Sequence, residues 1–411
     1  MNNYDMIVIG AGAAGLISAG FSAKQKQSVL VIEKKAKAGR KVVVTGKGRC
    51  NVTNNCDEQT FVRQVKTNGR FLYSAIHAFN TTDTINFFEE QGVPLKTERG
   101  NRVFPESDCS LDVVDAMVRF ANKNGVKFVN NTAKSLLLEN GLLKGVICEN
   151  GERYYSKKVV IATGGLSYPL TGSTGDGYRM AQEVGHTIVR PIPSLVPIIL
   201  SEKWCEELMG LSLKNVVVRL LDTKKNKTIF EEIGEMLFTH FGVSGPLILS
   251  CSSHMDIQVQ KYRIFIDLKP ALSMEQLDTR ILRDFEKYKN KEFSNALDDL
   301  LPKKMIPIMI MRSEIDGSTK VHQVTKLQRQ KLVELFKSFP LTPVGFRPID
   351  EAIITSGGIS TTEINPKTME SKILKGLYFA GEVIDVDAYT GGYNLQIAYC
   401  TGYLTSQSHA I

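Results

Sequence analysis

A glycine-rich segment near the N-terminus has the residue types and the spacing that bind a phosphate-containing ligand. Gly10, Gly12 and Gly15 follow an apolar run and precede an alanine-rich segment, which predicts a strand, a tight turn and a helix. Gly10 permits the turn, Gly12 lets the backbone approach a pyrophosphate, and Gly15 lets the helix pack closely on the sheet. The start of the helix then presents free N–H groups to the anion. The alternative is a purely structural glycine turn.

An acidic residue at the end of the next predicted strand supports nucleotide binding. Glu33 follows the apolar run 28–32, where a carboxylate can accept hydrogen bonds from the ribose hydroxyls of adenosine. NAD and FAD both bind such a unit. The chain has one such glycine fingerprint, and a later strand ends at Thr163 and Gly164 without a second one. A dedicated nicotinamide domain is therefore not indicated, and the pattern favours FAD.

A second glycine-rich segment lies close to the C-terminus. Gly381 and Glu382 end an apolar run, and with Asp385 they could hold a ribityl chain or a pyrophosphate. Residues 391–396 then open a helix, and Tyr393 is expected to pack or hydrogen-bond beside the isoalloxazine. A helix N-terminus aimed at the pyrimidine edge of a flavin would stabilise the negative charge that develops on reduction. An ordinary start of a helix is the alternative.

A basic, glycine-rich loop is predicted at 39–56. Arg40 can clamp a pyrophosphate in bidentate fashion, and a cation at Lys47 or Arg49 near the isoalloxazine would favour the anionic reduced flavin. Lys47, Arg49 and Tyr393 are therefore the candidate catalytic residues. The alternatives are a solvated basic loop, a phosphate clamp or plain packing. The predicted cofactor-binding residues also include Lys34, Lys41, Thr163 and Gly164.

Cysteine and histidine spacing predicts neither a metal site nor a disulfide framework. The seven cysteines are scattered without a Cys-x-x-Cys pair, and the six histidines, at 77, 186, 240, 254, 322 and 409, are isolated. Cys50 and Cys56 are separated by five residues, one more than in the redox pair of flavin disulfide reductases, so free thiols are favoured over a redox disulfide. His240 is interpreted as structural, with a substrate contact as the alternative.

Apolar runs and helical periodicity predict an α/β fold. Buried strands are expected at 4–9, 28–32, 158–163 and 376–380, helices at 13–24, 71–92 and 110–125, and a small β-meander at 128–138, 145–149 and 153–155. Antiparallel strands at 216–221 and 262–268 and helical periodicity over 273–338 differ from this pattern.

The change in pattern near 191–197, which contains three prolines, predicts a discontinuous domain. We expect an FAD-binding domain formed by 1–190 and 341–411, because ligand motifs occur at both ends of the chain. Residues 191–340 form the expected inserted substrate domain, β-rich with a helical segment. The substrate is expected over the flavin face, between the two domains.

Composition excludes a disordered or coiled-coil chain, since 43% of the 411 residues are hydrophobic and 23% are charged. No signal peptide and no transmembrane segment are evident, so a cytoplasmic protein without membrane attachment is expected. The net charge of +8 and the pI of about 8.9 permit a nucleic-acid partner. The basic residues are spread along the chain, however, and we expect no nucleic-acid partner.

Seven segments give the chain a resemblance to the YhiN-like bacterial flavoproteins: VIGAGAAG (8–15), GRKVVVTGKGRCNVTN (39–54), ATGG (162–165), TGSTGDG (171–177), FTHFGVSGP (238–246), TSGGI (355–359) and GEVIDVDAYTGGYNLQ (381–396). Members of that family are described as aminoacetone oxidases or NAD(P)/FAD-dependent oxidoreductases, with bile-acid enone reductases among their relatives. The resemblance implies a glutathione-reductase-type FAD-binding Rossmann domain interrupted by a β-rich insertion. It also implies that nine residues lie at the cofactor: Ala14, Gly15, Glu33, Arg40, Asn51, Gly381, Glu382, Asn394 and Leu395.

Three functions follow from these patterns. The first is a flavin oxidase that takes a hydride from a small donor, such as an aminoacetone-like amine, and passes electrons to oxygen. The second is an NAD(P)H-dependent reductase of an enone-type acceptor. The third, from another class, is a flavin-carrying nucleic-acid-binding or regulatory protein, which only the basic pI suggests. In each enzyme, hydride chemistry belongs to the cofactor.

Overall fold

Short apolar runs form most strands of the computed structural model, which describes residues 2–407. The strands are β1 (Met6–Ile9), β2 (Val29–Glu33), β3 (Thr53–Asn54), β4 (Val65–Thr67), β5 (Leu95–Glu98), β6 (Arg102–Pro105), β7 (Lys127–Asn130), β8 (Ala133–Glu139), β9 (Leu142–Cys148), β10 (Arg153–Tyr155), β11 (Val159–Ile161), β12 (Ile188–Ser194), β13 (Ile198–Leu200), β14 (Ser212–Asp222), β15 (Lys227–Thr239), β16 (Gly242–Ser244), β17 (Tyr262–Asp267), β18 (Phe339–Leu341), β19 (Pro343–Phe346), β20 (Ile354–Ile359), β21 (Leu377–Phe379) and β22 (Asp387–Ala388).

The α-helices are α1 (Ala13–Lys24), α2 (Arg40–Val44), α3 (Glu58–Gln64), α4 (Tyr73–Ala78), α5 (Thr81–Glu90), α6 (Ser110–Lys123), α7 (Asp176–Glu183), α8 (Pro246–Ser252), α9 (Met274–Lys287), α10 (Met305–Ser313), α11 (Lys326–Lys337) and α12 (Tyr393–Gln407). None of the helices within residues 2–407 is long and apolar enough to cross a lipid bilayer. The chain divides into a first unit, residues 1–194 with 349–411, and a second unit, residues 195–348.

A five-stranded parallel sheet forms the centre of the first unit, in the order β21-β11-β1-β2-β7. The whole of β1 is buried, with Val8 paired to Val160 on one side and to Val31 on the other. The strand order reverses at β1, because the chain continues to β2 on one side while β11 lies on the other. A ligand crevice is expected beyond the carboxyl ends of the strands at such a point. The α/β fold class predicted from the sequence is confirmed.

Helix α1 packs between the sheet and the C-terminal helix α12. It is rich in alanine and glycine and is buried nearly all round, from Ala13 to Ala23, so it has no separate polar face. An added Cβ at Gly15 would overlap the carbonyl oxygen of Gly10, and one at Gly402 in α12 would overlap that of Ala14. These absent side chains let α1 approach the β1 turn and α12 closely.

Two local predictions in the first unit are wrong. The predicted loop at 39–56 contains α2 and a 3-10 turn at Thr45–Gly48, where glycines on either side obscured three helix-compatible valines. Residues 127–130 belong to β7 of the parallel sheet and not to the meander, which comprises only β8, β9 and β10. Pairing of β7 with β2, for example Val31 with Phe128, is a contact distant in sequence that local patterns do not reveal.

The second unit has a seven-stranded antiparallel sheet in the order β18-β17-β14-β15-β16-β13-β19. Strands β14 and β17 alternate buried and less buried residues, and Val218 pairs with Ile266 in the core. Helices α9 and α11 begin with capping boxes at Ser273 and Thr325, which explains their sharp starts. The assignment of the first unit to FAD and of the second to substrate stays a prediction.

Candidate functional site

The glycine loop between β1 and α1 has the geometry of a phosphate cradle. Gly10 has φ +101°, a conformation that favours glycine, and an added Cβ there would lie 2.6 Å from the carbonyl oxygen of Ala162. Gly12 precedes α1 with extended backbone, and an added Cβ there meets no atom within 4 Å. The first turn of α1 contains no acidic residue, so its free N–H groups face open space without a competing carboxylate.

Glu33 reaches from the end of β2 to this loop. Its Oε2 atom accepts a hydrogen bond of 2.7 Å from the Ala11 N–H, and its Oε1 atom accepts one of 2.8 Å from the Lys35 N–H. The carboxylate therefore lies beside the cradle, as adenosine ribose binding would require. The Lys34 ammonium forms an ion pair with Asp176 at 2.6 Å and also contacts Thr174. The role of Lys34 at a cofactor stays a prediction.

The start of the basic loop lies against the same cradle. The Gly39 N–H donates to the Ala11 carbonyl at 2.8 Å, which brings Arg40 beside the glycine loop. Arg40 is exposed and forms no ion pair with any residue of the described range 2–407. Its guanidinium is therefore available to a phosphate.

Lys41 and Glu382 connect the N-terminal and C-terminal glycine segments. The Lys41 ammonium lies 2.5 Å from Glu382 Oε2 and 2.6 Å from Ser167 Oγ. The other oxygen, Glu382 Oε1, accepts from Ser167 Oγ at 3.0 Å and from the Thr355 N–H at 2.9 Å. Sequence analysis missed Ser167 and Thr355. Their only signal was the position of Thr355 at the start of the TSGGI segment.

The Gly381 turn and the end of β11 complete this edge of the sheet. Gly381 packs on Ala14, since an added Cβ would lie 2.9 Å from the Ala14 Cβ, and its N–H donates to Thr401 Oγ1 at 2.9 Å. Thr163 and Gly164 follow β11, and Gly164 has φ +73°. Motif residues from four strand ends therefore lie at one edge, although nothing here tests which of them contact a cofactor.

The start of α12 is held by side chains from the 51–54 segment. The Asn51 amide, oriented for its best hydrogen bonds, accepts from the Gly392 N–H at 3.0 Å. The Asn54 amide donates to the Gly391 carbonyl at 3.1 Å. The Asn394 amide donates to the Ala388 carbonyl at 2.8 Å and accepts from its N–H at 3.0 Å. These contacts determine where α12 begins.

Two of the three candidate catalytic side chains have protein partners. Arg49 forms ion pairs with Glu98 and Asp108 and lies over the Phe104 ring at 4.2 Å, which raises the pKa of its guanidinium through the Glu98 and Asp108 hydrogen bonds. Tyr393 is buried 5.9 Å from the Phe61 ring, and burial raises its pKa to about 12.

Lys47 differs from these two residues. It is exposed in a left-handed backbone conformation with φ +59°, and it forms no ion pair with any residue of the described chain. The three catalytic assignments stay predictions, and Lys47 is the one whose charge the protein leaves uncompensated.

Two further predicted residues lie around the start of α12. Asp385 is buried and accepts from the Asn68 amide at 3.0 Å, and burial raises the pKa of its carboxyl. Leu395 is partly buried and packs on the core of the first unit.

Sequence comparison identifies the family. Residues 4–408 match the HI0933-like protein Rossmann domain. The chain belongs to the HI0933-like family. It is 33% identical to the ribosomal RNA dihydrouridine synthase of Escherichia coli, over 99% of this chain and 98% of that protein. It is 29% identical to the 3-dehydro-bile acid delta(4,6)-reductase of Clostridium scindens, over 98% of both chains.

A solved structure supports the fold of this HI0933-like protein. The 3-ketosteroid delta1-dehydrogenase from Sterolibacterium denitrificans has a TM-score of 0.54 over 99% of both chains, at 12% identity. The predictions of an FAD-dependent oxidoreductase and of FAD as cofactor are confirmed by the family. The cradle at Gly12, the nearby Glu33 carboxylate and the free Arg40 fit the diphosphate and ribose of FAD. When bound, FAD supplies reversible hydride transfer.

The histidines and cysteines of the described residues form no metal cluster. His186 is buried and satisfied, 3.1 Å from Glu363 and 2.7 Å from Ser371, and desolvation lowers its pKa. His240 is exposed, with its ring 5.0 Å from that of Phe241. His409 lies outside the described residues.

Cys50 and Cys56 are both free thiols with raised pKa values. Burial raises the pKa of Cys50 to about 12 and that of Cys56 to about 11. At pH 7 only about one Cys56 thiol in ten thousand would be ionised. We therefore expect Cys56→Ser to leave the rate of flavin reduction unchanged, and native Cys56 to resist alkylation near neutral pH. Rapid alkylation at Cys56 with parallel loss of flavin reduction would contradict this expectation.

Proposed function

We propose that this protein is an FAD-dependent reductase of carbon–carbon double bonds conjugated to a carbonyl, with uridine in ribosomal RNA as its substrate. The observation that carries the proposal is the 33% identity over nearly the whole of both chains to a ribosomal RNA dihydrouridine synthase. Uracil has a C5=C6 double bond conjugated to its C4 carbonyl. The substrate gains a hydride at C6 and a proton at C5, and NAD(P)H is the reductant.

The second relative supports the reaction type. Its name describes reduction of double bonds in a 3-dehydro-bile acid. Uridine and an enone steroid differ in size and charge, but both contain a double bond made electrophilic by a conjugated carbonyl. The enone-type reductase that sequence analysis offered as an alternative therefore describes both relatives. The net charge of +8 further favours a polyanionic substrate. This proposal replaces the expectation of no nucleic-acid partner.

Roles for individual side chains follow from the site geometry. The first turn of α1 and Arg40 would hold the diphosphate of FAD, and Glu33 its adenosine ribose. The Lys41–Glu382 ion pair would fix the two glycine segments around the cofactor. Lys47 would place an uncompensated cation near the reduced flavin or near the polarised carbonyl of the substrate.

The test compares electron donors and acceptors with the purified holoprotein under anaerobic conditions. We expect NADPH or NADH to bleach the flavin, and an unmodified ribosomal RNA transcript to restore its colour. Nucleoside mass spectrometry should then find dihydrouridine, with two hydrogens added to uridine. A transfer RNA transcript serves as the RNA control. Bleaching by aminoacetone with recovery in oxygen would support the amine oxidase hypothesis instead, and recovery with an enone steroid but not with RNA would favour a small-molecule reductase.

Lys47→Ala should slow hydride transfer without releasing FAD. Removing one exposed cation near a developing negative charge is expected to cost about 1 kcal/mol, or roughly fivefold in rate. Stopped-flow absorbance would measure flavin reduction and reoxidation separately. Lys37→Ala, at an exposed lysine of the same unit, is the matched control. Equal rates in both variants would assign Lys47 to the solvated surface.

A further inference from the structure

A surface cleft of about 550 Å³ lies in the first unit between α3, β4 and the 3-10 turn Gly69–Leu72. Its lining includes Gln59, Val62, Arg63, Arg70 and Tyr73. The proposed function so far uses none of these residues. The cleft is large enough for a nucleotide, which makes its charge and its aromatic surface informative.

The charge around the cleft has one sign. Residues 59–73 include Arg63, Lys66 and Arg70 and contain no aspartate or glutamate. Arg63 and Arg70 are exposed and form no ion pair with any residue between 2 and 407. The nearby Asp57 carboxylate caps α3 by accepting from the Thr60 N–H at 2.7 Å. Both guanidinium groups are therefore available to phosphate oxygens.

An exposed aromatic ring accompanies these cations. Tyr73 begins α4 with 53% of its surface accessible, although an aromatic side chain normally gains stability by burial. Val62 and Val65 provide apolar surface in the same cleft. Cations for a phosphate backbone beside a ring for base stacking are the combination that binds single-stranded nucleic acid.

The elements that line the cleft also hold the segment leading to α12. Strand β4 pairs with β22, and the Tyr389 N–H donates to the Gln64 carbonyl at 3.2 Å. From α3, the Phe61 ring packs 5.9 Å from the ring of Tyr393. The cleft and the start of α12 therefore share one continuous set of contacts within the first unit.

We propose that this cleft binds an unpaired segment of the RNA substrate. Arg63 and Arg70 contact backbone phosphates, and Tyr73 stacks on a base adjacent to the target uridine. This inference rests on the proposed function and names where its substrate binds. The line of exposed cations, extended by Lys66, suits a strand that continues past the cleft. The dinucleotide NAD(P)H, which also has phosphates and a base, is the competing occupant that the test must separate.

Binding of a fluorescent uridine-rich RNA by the FAD-loaded protein tests the proposal. For Arg63→Glu/Arg70→Glu, we expect affinity to fall at least about tenfold and the salt dependence, log K against log salt, to lose about 1.4 in slope for two lost phosphate contacts. Arg63→Lys/Arg70→Lys should restore most of the slope. Tyr73→Ala should weaken binding about tenfold at an unchanged slope, because stacking releases no counterions.

Lys134→Glu/Arg153→Glu is the matched control, since it reverses two exposed charges of the same unit on β8 and β10. It should bind RNA as the wild type does, and flavin absorbance confirms that each variant is folded. If the wild type forms dihydrouridine while Arg63→Glu/Arg70→Glu binds RNA normally, the cleft proposal is wrong and the proposed function stands. A higher half-saturating NADPH concentration with normal RNA affinity would assign the cleft to the dinucleotide. A wild type that neither binds nor reduces RNA would overturn both proposals.

Discussion

Gly12→Val should give a folded protein that does not retain FAD. An added Cβ at Gly12 meets no protein atom within 4 Å, and the extended backbone there suits any residue. The new side chain would instead occupy the space in front of α1 where the diphosphate is expected. Loss of two charge-assisted hydrogen bonds, at about 1.5 kcal/mol or more each, weakens binding at least about 100-fold. Flavin absorbance after gel filtration and titration of the apoprotein with FAD would measure this loss.

Gly15→Val is the contrasting variant in the same loop. Its Cβ would overlap the Gly10 carbonyl oxygen, so the fold itself should suffer. Gly12→Val apoprotein should unfold within about 1 kcal/mol of wild-type apoprotein, which is the cost of a poorer residue before the helix. Stoichiometric FAD in purified Gly12→Val would contradict the assignment of this loop to the diphosphate.

Gly402→Val should destabilise the first unit by at least about 3 kcal/mol, because no side-chain rotation can remove the overlap with the Ala14 backbone. Helices α1 and α12 would have to separate, and the glycine loop and the start of α12 would lose their relative positions. We therefore expect a lower unfolding midpoint in urea, measured by circular dichroism, together with weaker FAD binding.

Gly317→Ala provides the control for this substitution. An added Cβ at Gly317 would lie 3.5 Å from Ile310 and 3.6 Å from Ser294, an ordinary contact distance. Its midpoint should stay close to that of the wild type. A Gly402→Val protein as stable as Gly317→Ala would mean that the two helices are not packed as closely as described.

The sequence alone determined the features that depend on neighbouring residues. The spacing of Gly10, Gly12 and Gly15 between an apolar run and an alanine-rich segment predicted a strand, a turn and α1 at the observed bounds, 13–24. Glu33 was expected at the end of β2, where it lies. These predictions succeed because a buried parallel strand and a glycine turn are defined by short-range sterics and polarity.

Only the tertiary structure decided which distant side chains meet. Glu382 contacts Lys41, Ser167 and Thr355, and no local pattern connects four segments so far apart in the chain. Arg49 was as plausible a flavin neighbour as Lys47 until its ion pair with Glu98 was seen. The choice of partner depends on the free energy of packing and on the desolvation of charges, and both are properties of the assembled fold.

The cleft beside α3 shows the same division between sequence and structure. Its arginines and its tyrosine stand in a segment that sequence analysis took for the approach to a helix. They became a candidate RNA-binding surface only when α3, β4 and the following turn left Tyr73 exposed and Arg63 and Arg70 without carboxylate partners. Exposure and pairing are settled by what packs around a residue, so a single sequence carries no direct signal for either one.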